Sequence, residues 1–192
     1  MRVGGVGVVQ ARSDGGEFGD VVIEHTESSV ATWLESDASR VFRIERSGPR
    51  TRKNVPIGTR DGNFLTADLG GEPVTIRPGS GRIVRRSYRV MLEFGSRTTS
   101  LSPKDLTTCR VLNGHPREIE NEFALLTAYR DGSVGLEWAY PVRIPIMRRT
   151  ITPPEPEADD ILIGCGAAAA FGTGSLSLTS IVMGLVSSVF PT

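Results

Sequence analysis

Apolar and polar residues alternate through much of residues 39–150, the period-two pattern of half-buried β-strands. In RVFRIER, Phe42 and Ile44 fall on one side, Arg43 and Glu45 on the other. In RIVRRSYRVMLEF, Val84, Tyr88, Val90, Leu92 and Phe94 share a face with Arg86 as the exception, which predicts the longest strand of the chain. Asp61-Gly62 lies between NVPIGTR and NFLTADL, and Asp131-Gly132 between NEFALLTAYR and SVGLEWAY. Both pairs predict short hairpin turns, because Asp and Gly tolerate positive φ. Gly70-Gly71 and Pro78–Gly81 predict further turns, and PVRIPIMRR reads as extended through its two prolines. Upstream, VVIEHTES predicts a strand over residues 21–26, and SSVATWLESD a short amphipathic helix capped by Ser28 or Ser29. About seven strands with short loops imply a mainly β fold, a small antiparallel barrel or sandwich.

The alternation stops at ITPPEPEADD, whose prolines resist helix and whose acids keep it solvated. From Ile161 to Thr192 no residue is charged. Four segments follow: an acidic stretch at 1–38, a β domain with a basic middle at 39–150, a linker at 151–160 and a hydrophobic helical tail at 161–192. Roughly 20 apolar residues suffice to cross a bilayer core. Small residues recur every fourth position, Gly166, Ala170 and Gly174 in one stripe and Ser180, Gly184 and Ser188 in another, a spacing that allows close helix packing. Gly172–Ser175 interrupts the run, so two helical pieces are expected, with Asp159 and Asp160 favouring the start of the first. The leading expectation is a membrane anchor with Arg148 and Arg149 on the cytoplasmic side. The rivals are a helix buried inside the β domain and a helix packed between copies of the chain. The absence of Trp, Tyr, Lys or Arg after the run, and its many Gly, Ser and Thr, favour protein packing over lipid.

Formal neutrality conceals a sorting of charge. Residues 1–39 hold two basic and seven acidic side chains, whereas residues 40–97 hold thirteen basic and five acidic. Twelve of those thirteen are arginines, whose planar fork suits phosphate and carboxylate groups. Arg82, Arg85, Arg86 and Arg89 form the densest cluster and are the candidate anion-binding residues. Two partners fit: an anionic lipid surface, or the acidic segment of the same or another copy. Aromatic residues are sparse among the arginines, so nucleic acid is not the expected partner.

Other chemistry finds little support. ILIGCGAAAA superficially matches a dinucleotide fingerprint, but no Asp or Glu follows Asp160 to hold a ribose. His25 and His115 are the only histidines, and Glu24 and His25 would point to opposite faces of a strand, so no metal is expected. A Cys109–His115 nucleophile–base pair lacks an orienting partner. Glu118, Glu120 and Glu122 read as a solvated edge rather than a glycosidase pair. Cys109 and Cys165 read as buried reduced thiols, and the opening residues do not read as a secretory leader. No cofactor, small-molecule substrate or enzymatic activity is expected.

TRDGNFLTADL, GRIVRRSYRVMLEF and YRDGSVGLEW, followed by ILIGCGAAAAFG, resemble in layout the tubby-like, LURP-one and phospholipid-scramblase group over residues 39–190. That resemblance implies a twelve-stranded barrel around a hydrophobic C-terminal helix, and in some members phosphoinositide binding through basic residues. The expected function is therefore a non-enzymatic protein on the cytoplasmic side of a membrane, held by its tail and oriented by its arginines. The alternative is a self-assembling cytoplasmic shell, capsid or filament subunit whose tail packs between copies.

Overall fold

Each of two consecutive runs of strands folds as a meander, every strand antiparallel to the next. The computed structural model describes residues 8–82, 84–144 and 149–174. The first sheet contains β1 (Val9–Asp14), β2 (Asp20–His25), β3 (Ser29–Leu34), β4 (Asp37–Arg46), β5 (Leu65–Leu69) and β6 (Glu72–Pro73) in chain order. The second contains β7 (Thr75–Pro78), β8 (Val90–Phe94), β9 (Arg97–Pro103), β10 (Thr108–Asn113), β11 (Glu122–Ala128) and β12 (Val134–Trp138). A short hairpin of β13 (Val142–Ile144) and β14 (Arg149–Ile151) precedes one helix, α1 (Ala158–Phe171). The two large sheets are not closed into a barrel. They face each other as a sandwich with α1 between them, touching β2, β3 and β4 on one side and β9, β11 and β12 on the other.

Alternation decides which way each strand faces. Phe42 and Ile44 are fully buried while Arg43 and Glu45 remain exposed, as the pattern of RVFRIER requires. Val21 and Ile23 of β2, Val90 and Leu92 of β8, and Cys109 and Val111 of β10 complete the inner faces. Every α1 residue from Asp160 to Phe171 is buried. A helix apolar all round is the kind that can sit inside a core. Small side chains keep it thin enough to lie between sheets. A Cβ on Gly166 would stand 2.6 Å from Phe42 Cδ1 and 3.1 Å from Thr32 Oγ1, so the first sheet approaches the helix backbone directly there.

Both ends of α1 are fastened. At the N-terminus Arg40 of β4 holds Asp159 through bonds of 2.5 and 2.6 Å. Asp160 accepts from Arg97 at 2.6 Å, Thr99 at 3.1 Å and the Glu157 N–H at 2.9 Å, and Arg97 also pairs with Glu157. Midway, the Thr32 hydroxyl donates to the Leu162 carbonyl at 2.8 Å inside the core. At the C-terminus the Ile57 N–H and the Arg60 guanidinium reach the carbonyls of Ala170 and Phe171. The chain then turns at Gly172, whose φ is +76°.

Several expectations need correction. SSVATWLESD is not a helix but β3, because Val30–Thr32 pair with β2 on one side and β4 on the other, and that pairing outweighs local helical periodicity. RIVRRSYRVMLEF is not one strand: only Val90–Phe94 is, and Arg85–Tyr88 forms a 3₁₀ turn. The Ser87 hydroxyl accepts the Arg82 N–H and donates to the Val84 carbonyl, a local alternative to a sheet ladder. Asp61-Gly62 makes no hairpin. Asp61 instead caps a 3₁₀ turn by accepting from the Asn63 N–H at 3.0 Å. Residues 161–171 of the apolar tail are enclosed by their own β-sheets, where a membrane anchor was the leading expectation. Among the described residues no helix is long and apolar enough to cross a membrane. The second expected tail piece, with Ser180, Gly184 and Ser188, lies outside the described residues.

Candidate functional site

Among the described residues, some arginines pair with carboxylates and others do not. Arg12, Arg40, Arg43, Arg77, Arg97 and Arg110 each pair with a carboxylate. None of these pairs joins an acid of residues 1–39 to an arginine of residues 40–97; among the described residues Asp37 lies only near enough to Arg40 to feel its charge. A second set lies at the end of the sandwich where α1 terminates, and it binds main-chain carbonyls or a serine. Arg50 donates to Lys53 and Val55, Arg52 to Ser80 and Gly81, and Arg60 to Gly79, Tyr88 and Phe171. Carbonyls satisfy hydrogen bonds without cancelling charge. This end therefore keeps its positive sign.

The four predicted arginines fall together on the loop from Gly79 to Arg89, closed by N–H bonds from Gly79 to Arg89 and from Gly81 to Ser87. Arg82 and Arg86 are exposed, and among the described residues their guanidinium groups have no hydrogen-bond or ion-pair partner. Arg85 donates to the Lys104 carbonyl at 2.7 Å and so ties this loop to the β9–β10 turn. Arg89 is half-buried and donates to Ser102 at 3.2 Å. Residues 50–61, 79–89 and 104–108 together carry nine Lys or Arg against two carboxylates, Asp61 and Asp105. Asp105 is itself engaged by the Thr107 and Thr108 N–H groups. Two aliphatic side chains stand among these cations, Val84 and Leu106, each 50 % exposed.

Arg60 underlies the cluster. It is buried between the rings of Tyr88 and Phe171, with its guanidinium carbon 5.4 Å from each centroid. Burial pushes its pKa down to about 10, so it remains a cation at neutral pH. Its charge faces the partial negative end of α1, a favourable placement.

The packing residues have distinct surroundings. Gly166 lies against Phe42, and Ala170 is fully buried with its carbonyl accepting from Ile57. Gly174 passes so close to the Leu106 carbonyl that no side chain fits without movement. Gly184 and Ser188 lie outside the described residues. A cavity of about 450 Å³ opens beside Gly172–Gly174, walled also by the β11–β12 turn, His25 and the segments holding Pro56 and Leu106.

Reactive groups are quiet. Cys109 and Cys165 are fully buried, and burial raises both thiol pKa values, that of Cys165 to about 12, which leaves them protonated and unreactive. Among the described residues no group of three His, Cys, Asp or Glu side chains is placed to hold a metal. Arg50, Arg52 and Lys53 belong to the basic block expected over residues 40–97, but not to the four-arginine cluster; Lys104 lies outside that block and joins this end only through the β9–β10 turn. The misplaced Arg86 was the available signal: an arginine on the apolar face of a supposed strand marks a loop. No protein-family model, curated protein or solved structure matches this chain.

Proposed function

We propose that this protein is a non-enzymatic binding module whose arginine-rich end docks on an anionic lipid surface. The observation that carries the proposal is the cluster of nine cations, seven arginines and two lysines, in which Arg50, Arg52, Arg60, Arg85 and Arg89 donate to carbonyls or a serine and no arginine pairs with a carboxylate. Exposed Val84 and Leu106 within that cluster favour a lipid interface over a nucleic acid, since apolar tips flanked by cations can enter a headgroup layer. Each basic residue near an anionic leaflet contributes about 1 kcal/mol, and added salt weakens the attraction. The cytoplasmic leaflet, where anionic lipids concentrate, is the proposed location. Residues 158–171 serve as internal core in this reading, so attachment rests on the surface rather than on that helix. The resemblance to the tubby-like, LURP-one and scramblase group belongs to the same proposal. Twelve strands in two sheets about an apolar helix fit its implied layout, although the sheets do not close.

Vesicle sedimentation tests this. The full chain should pellet with vesicles of phosphatidylcholine and phosphatidylserine, stay in solution with phosphatidylcholine alone, and release as salt rises. Arg82→Gln with Arg86→Gln, two exposed residues without partners, should weaken binding roughly thirtyfold. Equal binding to neutral vesicles, or an unchanged double variant, refutes the proposal.

A further inference from the structure

The cavity at the basic end has the wrong lining for water. Val9, Pro56, Leu106, Ala128, Tyr129 and Ala169 contribute much of its wall. Its polar groups are largely spoken for. The Thr173 hydroxyl donates to the Thr107 carbonyl and accepts the Ala128 N–H at 3.0 Å, while His25 Nε2 lies 3.3 Å from the Gly132 carbonyl. Asp131 turns its carboxylate onto Ser133, accepting the N–H at 2.9 Å and the hydroxyl at 2.6 Å. A space whose polar groups already have partners offers water little and an alkyl chain much. Its volume falls within the roughly 300–1,000 Å³ usual for small-molecule sites.

One charged lining group has no partner. Arg130 is exposed at the wall, and among the described residues its guanidinium has no hydrogen-bond or ion-pair partner. Part of its lining belongs to the cationic loops. Asn54, which lines it, follows Lys53, and Leu106 lies two residues beyond the carbonyl that Arg85 holds. An apolar chamber with an unpartnered arginine in its lining, beside a carboxylate already held by Ser133, matches one ligand chemistry: a single alkyl chain ending in an anion.

We infer that this cavity binds a single-chain anionic amphiphile, a long-chain carboxylate or a monoalkyl phosphate, with the alkyl chain inside and the headgroup on Arg130. The inference deepens the lipid-surface reading of the same end and rests on it for the source of the ligand. No covalent step is involved. Binding buries the chain against Pro56, Leu106 and Ala169 and places the anion where Arg130 can fork two hydrogen bonds to it.

Calorimetric titration of the full chain, below the micelle threshold of each probe, is the test. Dodecyl phosphate and dodecanoate should each bind one to one, and their relative affinities identify which headgroup the site prefers. Inorganic phosphate should not bind, and dodecanol and dodecyltrimethylammonium should bind at least tenfold more weakly than dodecyl phosphate. Arg130→Gln should weaken dodecyl phosphate roughly tenfold. Leu106→Trp, at a half-exposed position away from the sealed core, should reduce chain binding without unfolding the protein, as circular dichroism would verify. No one-to-one binding by either anion overturns the inference, as does unchanged affinity in both variants. Amphiphile binding without vesicle binding would refute the surface reading alone, and vesicle binding without amphiphile binding would refute the cavity assignment alone.

Discussion

Two glycines on α1 should respond in opposite directions to the same added methyl group. Replacing a mid-helix glycine by alanine gains about 1 kcal/mol in helix propensity. At Gly164 the new Cβ would stand 3.5 Å from Leu126 Cδ1 and 3.7 Å from Val111 Cγ1, ordinary contact with the second sheet. Gly164→Ala should therefore stabilise the protein by about 1 kcal/mol. At Gly166 the Cβ would stand 2.6 and 2.8 Å from Phe42 Cδ1 and Cε1, below any real carbon contact. Phe42 is fully buried and its ring has nowhere to retreat. Overpacking of this kind costs about 1–3 kcal/mol, and such short contacts belong in the upper half of that range. After the propensity gain, Gly166→Ala should destabilise by about 1–2 kcal/mol. Urea unfolding monitored by Trp33 and Trp138 fluorescence gives both values. In a chain of this length the pair should differ in Tm by roughly 4–12 °C. If Gly166→Ala is as stable as Gly164→Ala, the helix does not lie against β4 as described.

Two further predictions concern the helix end and the β11–β12 turn. Asp160→Ala removes the partner of Arg97, Thr99 and the Glu157 N–H and should cost about 3–5 kcal/mol in urea unfolding, with a loss below 1 kcal/mol refuting the buried pairing. Burial lowers the pKa of His25 beneath its ordinary 6.5, so the folded protein resists protonation where the unfolded chain accepts it. Stability should therefore fall as pH drops below about 6.5, level off beneath the folded pKa, and lose that part of its slope in His25→Gln; a variant with the full slope would exclude His25 as its source.

Some elements could be read directly from the chain and others could not. β4, β11 and β12 were legible because alternation and the Asp131-Gly132 turn agree, and one face of each strand meets the core. The mainly β sandwich followed from them. β3 was not legible, because Val30, Trp33 and Leu34 fit a helical face equally well and only pairing with β2 and β4 decides the matter. The loop from Gly79 to Arg89 mimicked a strand because Tyr88 continues the period of Val90 and Leu92, while the Ser87 hydroxyl that diverts the backbone leaves no periodic trace. The apolar segment announced that it must be hidden, yet the enclosing surface comes from sheets distant in sequence. The same is true of the basic end: the cations of residues 40–97 could be named as a block, but which of them meet at one end, and that Lys104 joins them, is decided only by folding.

Because α1 follows every strand of both meanders, synthesis delivers the centre of the sandwich only after the sheets that enclose it. Thr32 waits for Leu162 across 130 residues, about 7–26 s at common elongation rates. Throughout that interval the growing polypeptide carries sheet faces with nothing to close upon, an invitation to chaperones and to sticking between neighbouring nascent chains. Slower translation between Thr32 and Leu162 would lengthen that exposure.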